Sequence, residues 1–577
     1  MRAPVSHGLG AFGGTLSRAD RRRMAIHVAL SLATALAGSL AAVCLVPLLQ
    51  SGRVLRFGGR VFEIPGGTGT QAAAFAAASV AFALLRWLTS RLAASMASRY
   101  AVHLRGRVHA SLVGAPLAAL ADATSAEIAN ALTYNTEIVT QGFNALLQLL
   151  VAGVTTAVSL VLAFLVSPAL LLAAPALLAV GLLTSRAHGR EQSRVSRRYV
   201  ADMTTLFWHS EDFPRRLRHV RSFGQEEAEQ VGYGDISASL GRGYRRQLDL
   251  LASGRLALEL AAATGITGVL VLAHLWRDVD RASLVAVSLL LGRLLPYLVS
   301  TRQSFQQLRS AVPALELWRR YTGLDRDRKA PAPVAAPAGT LRIERLLLAS
   351  PMPALEVRDL ALVPGELTLI HGDSGVGKSS LLDVLAGMLQ PKTFAATLDG
   401  RPLDFEAYRG FVRRGAYVSQ GVRPWQRTVR ECLQWADAGA SEEAMWQALA
   451  DVGLDRRLAD GRQGLDTALD HSSSRLSGGE LQRLLLAQVI LRKPFLALLD
   501  EATGALDVLS EMEVLSAVRR RLPEAVLVAV SHRPGLSALA DRCLAIGSGD
   551  GCAALLAGDC RDLPAFQAAK APECPAT

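Results

Sequence analysis

The sequence predicts a membrane all-α six-helix domain followed by an α/β P-loop NTPase domain. Three observations carry that fold class. The first half holds long apolar stretches joined alternately by short and long polar connections. Composition then changes at a Pro- and Ala-rich stretch, "LDRDRKAPAPVAAPAGT". The second half brings strand–loop–helix signals around "ELTLIHGDSGVGKSS". At 577 residues the chain is too long for one hydrophobic core, so two or more domains are expected. Half of it is apolar and 19% is charged, with a mean hydropathy of +0.26, as in a membrane protein with a soluble part. A net charge of +12 in a soluble protein would suggest nucleic acid. Beside membrane spans, cytoplasmic Lys and Arg account for it, and no nucleic-acid partner is expected. Cys44, Cys432, Cys543, Cys552, Cys560 and Cys574 include no CxxC pair. That pattern argues against a metal centre or disulfide framework and for reduced thiols.

The elements follow in order. Met24 to Gln50 contains 27 residues and no Asp, Glu, Lys or Arg. It is long enough to cross roughly 30 Å of hydrocarbon and too long for a signal-peptide core. Arg18 and Arg21 to Arg23 precede it and place the N-terminus in the cytoplasm. Five more spans are expected near Gln71–Ala94, Phe143–Val166, Ser167–Ser185, Leu256–Leu275 and Ser283–Thr301. Spans three and four are joined by little more than Ser167-Pro168, and five and six by "RDVDR". The connections after spans two and four are long, Arg-rich and helical in pattern, and should project into the cytosol as two hairpins. The expected domains are therefore 1–23, a cytoplasmic segment; 24–322, the membrane domain; 323–340, a linker; and 341–577, a nucleotide-binding domain. A soluble domain of very apolar helices fits the alternating connections less well.

Gly372, Asp373, Ser374, Gly375, Val376, Gly377, Lys378 and Ser379 spell G-x-x-x-x-G-K-S between a β-rich run and a helical one, the context this phosphate loop requires. Its glycines let backbone N–H groups close on phosphates, with Ser380 following in the helix. Lys378 is expected on the β- and γ-phosphates of ATP, and the Ser379 hydroxyl on Mg²⁺. Asp500 ends an apolar strand, "FLALLD", and suits Mg²⁺ coordination. Glu501 is then placed as general base or water orienter. His532 ends a third strand, "AVLVAV" plus Ser531, in reach of a γ-phosphate. A second anion cradle is written at "LSGGE", where a serine and two glycines open a helix.

In this order the motifs resemble those of ATP-binding cassette (ABC) transporters. The chain as a whole resembles an exporter-fold half-transporter: six spans, then one cassette. The resemblance implies further roles. Gln420 in "AYVSQ" would sense Mg²⁺ and water. Ser477, Gly478, Gly479 and Glu480 would form the signature motif, gripping the γ-phosphate held on another subunit's Lys378 loop. Asp507 closes the "GALD" loop. A dimer follows, with a second half-transporter, identical or not, as partner. The cytoplasmic hairpin tips, near Ala118–Asn130 and Ser210–Arg216, would dock on the cassettes. Localisation would be the bacterial inner membrane, multi-pass, with N-terminus and ATPase domain cytoplasmic.

Several residues depart from the family pattern. No Phe, Tyr or Trp lies between Tyr321 and Phe394, and Ser350 sits where an adenine-stacking aromatic belongs. Weaker adenine selectivity or a substitute contact is expected. Glu480 replaces a common Gln, and Gly504 a common Ser. Such departures fit one half of a heterodimer, while Glu501 and His532 imply a hydrolysis-competent chain. Arg86 and Arg293 lie within spans, and an Arg at bilayer depth usually faces a cavity or partner. Facing a cavity, they would favour an anionic cargo, small or amphiphilic. His27 and His274 are expected near the membrane interface. The function expected is ATP-driven transport by alternating access. The alternatives are import of a metal–siderophore complex by an exporter-fold heterodimer, as in a minority of the family, and a membrane-anchored regulatory ATPase without cargo.

Overall fold

In the computed structural model the described residues are 12, 15, 18–49, 55–57, 60–62, 67–120, 123–166, 191, 194–210, 213–275, 281–324, 334, 339–348, 355–373, 375–419, 421–461, 463–469, 476–531, 533–548 and 553–558. The chain divides into a helical unit, Met1–Ala115 and Ala121–Asp325, and an α/β unit, Arg326–Thr577 with Pro116–Leu120.

The helical unit starts with α1, Arg18–Leu49, and a small antiparallel hairpin of β1, Leu55–Phe57, and β2, Arg60–Phe62. Helix α2, Thr68–Val113, has 46 residues. It carries span two and continues without a break through the Arg-rich connection, about 69 Å at 1.5 Å per residue. Then come α3, Ser125–Leu132; α4, Tyr134–Val166; α5, the helical run 194–210; α6, Phe213–Ser222; α7, Glu226–Leu275; and α8, Arg281–Thr322. Helices α1, α2 and the α3–α4 stretch contain windows long and apolar enough to cross a membrane. The expected fifth and sixth spans fall in α7 and α8. The expected fourth span, Ser167–Ser185, lies outside the described residues.

Helix α8 packs along α4, and α1 along α2. Their shared core includes Tyr100, Leu104, Phe143, Leu315 and Trp318. Tyr100 stacks on Phe143 at 4.3 Å, and the Trp318 indole donates to the Leu104 carbonyl at 3.3 Å. The expected first hairpin tip contains a capped helix start: Thr124 accepts from the Glu127 N–H at 3.2 Å. Buried Asn130 donates to Thr204 of α5 at 2.7 Å. At the second tip, Arg216 donates to the His209 carbonyl and pairs with Glu229, each at 2.9 Å.

The α/β unit is built on β3 (Leu341–Leu348), β4 (Leu355–Leu362), β5 (Leu367–Gly372), β6 (Thr393–Leu398), β7 (Arg401–Leu403), β8 (Ala416–Val418), β9 (Leu496–Asp500), β10 (Val526–Val530), β11 (Arg542–Ser548) and β12 (Ala553–Gly558). Their order is β7-β6-β3-β4-β12-β11-β5-β10-β9-β8. The stretch from β11 to β8 is parallel, and parallel strands covered on both faces read as continuous apolar runs. That is why "LALLD" and "VLVAV" lack the polar alternation of a half-exposed strand. Alternate residues still serve opposite faces. Leu527 and Ala529 join one core, while Val526, Val528 and Val530 join the other. The helices are α9 (Lys378–Leu385), α10 (Phe405–Val412), α11 (Val429–Ala436), α12 (Glu442–Asp451), α13 (Asp455–Ala459), α14 (Gly478–Arg492) and α15 (Val508–Arg521).

One expectation is corrected. Cys543 in β11 is disulfide-bonded, although Cys44 and Cys432 are free and buried. His27 is 1% exposed inside the helical unit. Its position along α1 is close to a helix end, but its azimuth turns it inward, which position along the chain does not reveal. His274's side chain lies outside the described residues. No metal-binding cluster of His, Cys, Asp or Glu occurs among the described residues.

Candidate nucleotide site

The site grows from the C-terminal ends of parallel strands, where loops leave a packed sheet. Strand β5 ends at Gly372 with φ +152°. A Cβ there would lie 2.9 Å from the Ile546 carbonyl and 3.1 Å from Val376 Cγ1, so only glycine lets the loop turn this tightly against β11. Gly377, at φ +105°, is the N-cap of α9, and no side chain closes that helix start. Its first N–H groups are thus available to an anion. Lys378 is mostly buried, and Nζ donates to the carbonyls of Gly372 and Asp373, each at 2.8 Å. The ammonium is held over the loop and can exchange carbonyl partners for phosphate oxygens.

Ser379 Oγ donates to Asp500 Oδ2 at 3.1 Å. A hydroxyl and a carboxylate from two different elements therefore meet at the loop, and hard oxygen donors in that pairing fit Mg²⁺. Tyr417 of β8 also donates to Asp500 Oδ2, at 3.4 Å. Asp383, one turn into α9, is a carboxylate the sequence reading passed over. Burial, then the charge of Asp500, pushes it up to about 6 against the opposing Tyr417 hydrogen bond. Glu501 follows Asp500 with a left-handed backbone, φ +50°, pinned by its N–H donating to the Val530 carbonyl at 3.1 Å. A non-glycine residue in that region costs about 1–3 kcal/mol and is kept where the surroundings enforce it. Ser374, Gln420, His532 and Ser350 lie outside the described residues.

The signature stretch forms a second helix start of another kind. Ser477 caps α14 by accepting from the Glu480 N–H at 3.3 Å. Glu480 reciprocates by accepting from the Ser477 N–H at 2.6 Å. Arg457 of α13 donates to the other Glu480 oxygen at 3.3 Å. The Glu at this position is therefore one arm of a capping box. Burial opposes its ionisation, but the Ser477 and Arg457 contacts outweigh that and hold it below the usual range. Gly479 packs on the loop before α15: a Cβ there would lie 3.2 Å from both the Ala505 carbonyl and Leu506 Cδ2. Asp507 caps α15 by accepting from the Ser510 N–H at 3.0 Å.

Two family models match in sequence order. The ABC transporter transmembrane region matches residues 61–295, and the ABC transporter cassette matches residues 355–504. The chain belongs to the ABC transporter family. Among its relatives is the ATP-dependent lipid A-core flippase of Chromobacterium violaceum, 27% identical over 62% of this chain and 62% of that protein. The mycobactin import ATP-binding/permease protein IrtB of Mycobacterium bovis is 34% identical over 34% of each chain. The chain thus spans less than two thirds of the length of these relatives. A solved bacterial Atm1-family ABC exporter with ATP bound has the same fold, with a TM-score of 0.77 at 20% identity, covering 96% of this chain and 99% of that one.

The ABC cassette contains a network that its short motifs did not announce. Arg533, next to His532, donates to the Gly504 carbonyl at 2.8 Å and to the Leu506 carbonyl. It pairs with Glu511 at 3.1 Å, a carboxylate only 1% exposed. Arg483 of α14 donates to Ser510 at 2.8 Å, and Gln482 accepts from the Ala505 N–H at 2.8 Å. The signature helix and the "GALD" loop are thereby held as one piece. The only sequence signal for this is the charge of two arginines. In the helical unit, Arg86 borders a cavity. Arg293 lies in α8, its side chain outside the described residues.

Proposed function

We propose that the protein is an ATP-driven transporter working as a dimer of half-transporters, exporter-like in fold. The observation that carries this reading is one chain joining apolar membrane-length helices to a loop where Lys378, Ser379 and Asp500 converge. Gly372 to Ser380 would hold the phosphates of ATP. Ser379 and Asp500, with Gln420, would hold Mg²⁺, which when bound neutralises charge on the β- and γ-phosphates. Glu501 would accept the proton of the attacking water, with His532 holding the γ-phosphate. Ser477 to Glu480 and Asp507 would act on nucleotide bound by the partner subunit. The domain limits 1–23, 24–322, 323–340 and 341–577 belong to this reading. So does placement in a bacterial inner membrane with N-terminus and cassette cytoplasmic. The substrate class is small or amphiphilic, and Arg86 favours an anion.

A Glu501→Gln variant in proteoliposomes tests the assignment. Hydrolysis should fall about 10²-fold or more, with ATP binding retained. Hydrolysis at the wild-type rate would remove Glu501 as base. Vesicles loaded on either side with candidate anions then read flux and direction. ATP hydrolysis that no cargo accompanies would favour a regulatory ATPase. Import of a metal–siderophore complex is the second reading, favoured by the match to the mycobactin importer.

A further inference from the structure

We propose that Tyr417 and Asp383 are positioning residues of the nucleotide site: the Tyr417 hydroxyl, set between the Asp383 and Asp500 carboxylates, orients Asp500 for a small octahedral cation and so favours Mg²⁺ over a larger one. This role rests on the ATP reading above.

Three periodicities bring these groups together. Ser379 and Asp383 stand at i and i+4 on α9, so they share one face of that helix, a turn apart. Along β9, Leu496, Leu498 and Asp500 alternate onto one face of the sheet. The two leucines join the core that also takes Leu381, Leu382 and Leu385 of α9. In the parallel pairing of β8 with β9, Tyr417 stands beside Leu498, and its ring packs against the same core. That face of β8 and β9 is apolar as far as its C-terminal end, where the Tyr417 hydroxyl, Asp383, Ser379 and Asp500 meet.

The hydrogen bonds at this end are directional. Ser379 Oγ and Tyr417 Oη both donate to one oxygen of buried Asp500, Oδ2, at 3.1 and 3.4 Å. Two protons on Oδ2 fix the carboxylate's rotation and leave Oδ1 for a cation or a water bound to one. The Tyr417 contact is long for an O–H···O bond, as fits a proton shared with a second acceptor: Tyr417 also hydrogen-bonds Asp383. A hydroxyl has one proton to give, so Tyr417 ties carboxylates on two different elements to one point. Ser379 alone is a poorer anchor, because its own lone pairs face the cation. Mg²⁺ demands near-ideal octahedral geometry at about 2.0–2.1 Å, while Ca²⁺ accepts about six to eight oxygens at about 2.3–2.6 Å in flexible arrangements. A carboxylate free to swing therefore penalises Mg²⁺ more than Ca²⁺. Partners that hold metal ligands contribute about 10–100-fold to metal affinity, and a bond of this length belongs at the low end.

Full-length protein in nanodiscs is titrated with the fluorescent, non-hydrolysable analogue mant-AMP-PNP, in EDTA and at stepped free Mg²⁺ or Ca²⁺, so that binding is read apart from turnover. Tyr417→Phe should raise the free Mg²⁺ needed for half-maximal tightening about tenfold. The Ca²⁺ requirement should change by less than about threefold, and binding in EDTA should match wild type. Asp383→Ala should shift the Mg²⁺ requirement in the same direction. Asp383→Asn, whose amide oxygen still accepts from Tyr417, should stay near wild type. The double variant Tyr417→Phe/Asp383→Ala should be no weaker than Tyr417→Phe alone, because Asp383 acts through Tyr417. Thermal unfolding in EDTA identifies any misfolded variant, and Tyr417→Phe, which keeps the ring, carries the test if Asp383→Ala does not fold. A Tyr417→Phe protein with the wild-type Mg²⁺ requirement, or Mg²⁺ and Ca²⁺ requirements that rise equally, overturns the proposal. Additive losses in the double variant overturn the part given to Asp383. Wild-type protein that binds the analogue no tighter with Mg²⁺ than in EDTA removes the ATP reading and this role together.

Discussion

The two anion cradles of the cassette are built on opposite plans. The loop before α9 is closed by glycine alone, and its lysine rests on the carbonyls of Gly372 and Asp373. The turn before α14 is closed by its own side chains, Ser477 and Glu480 satisfying each other's backbone. An uncapped helix start stores its binding capacity for a ligand. A capping box uses that capacity internally, and stabilises its helix by about 1 kcal/mol in doing so. The first cradle is thus a receptor at rest. The second is a rigid helix end whose Ser477 hydroxyl accepts within the box and would donate its own proton to a phosphate, with a resident carboxylate balanced by Arg457.

That contrast can be broken most forcefully at Lys378. Lys378→Ala should lower steady-state ATPase by about 10²–10³-fold. Loss of less than tenfold would mean that the open loop does not depend on its cation. A gentler probe is Glu480→Gln. Glutamine keeps the capping box, so thermal stability should move by under about 1 kcal/mol. Removing the carboxylate charge should lower KM for ATP about two- to fivefold with kcat preserved. An unchanged KM would show that the resident charge does not face nucleotide.

A third probe sharpens the first cradle's electrostatics. Burial and the charge of Asp500 push the Asp383 carboxyl up to about 6 from its ordinary 3.8. The protonated form is favoured, so the destabilisation from ionising it is absent below pH 3.8, grows toward pH 6 and is complete above. Asp383→Asn should therefore stabilise the metal-free, nucleotide-free protein at pH 7.5 by about 1–2 kcal/mol, after allowing for the part that solvent screens. Near pH 4 the difference in unfolding temperature should vanish. A gain of equal size at both pH values would place the effect in packing instead of charge.

Much of this was legible because chemistry dictates spacing. A phosphate loop needs glycines at fixed offsets and a lysine after them. Buried parallel strands need unbroken apolar runs, which is why Asp500 and Glu501 stood out at the end of "LALL". The connection after span two was legible as helical, with no Pro inside it, but its fusion with that span into the single helix α2 was not. Other features depend on rotation or on distant chain segments. The burial of His27 inside the helical unit was not legible, because depth along a helix is a sequence property while azimuth is not. Arg533, Glu511 and Arg483 come together from separate elements and form no local pattern. Glu480 looked like a departure from the signature, yet S-x-x-E opening a helix is itself a capping pattern. The family comparison hid a local rule that was there to be read.

The most direct test mixes two defective chains. If the cradles serve two different sites, each shared between copies, Lys378→Ala and Ser477→Ala chains should complement. In a mixed dimer one composite site loses both elements and the other keeps both. Co-expressed under separate affinity tags and purified through both, the pair should trap one ATP per dimer with vanadate or beryllium fluoride, while either variant alone traps essentially none. A mixed dimer that traps no more than the single variants would contradict a site shared between two copies of this chain.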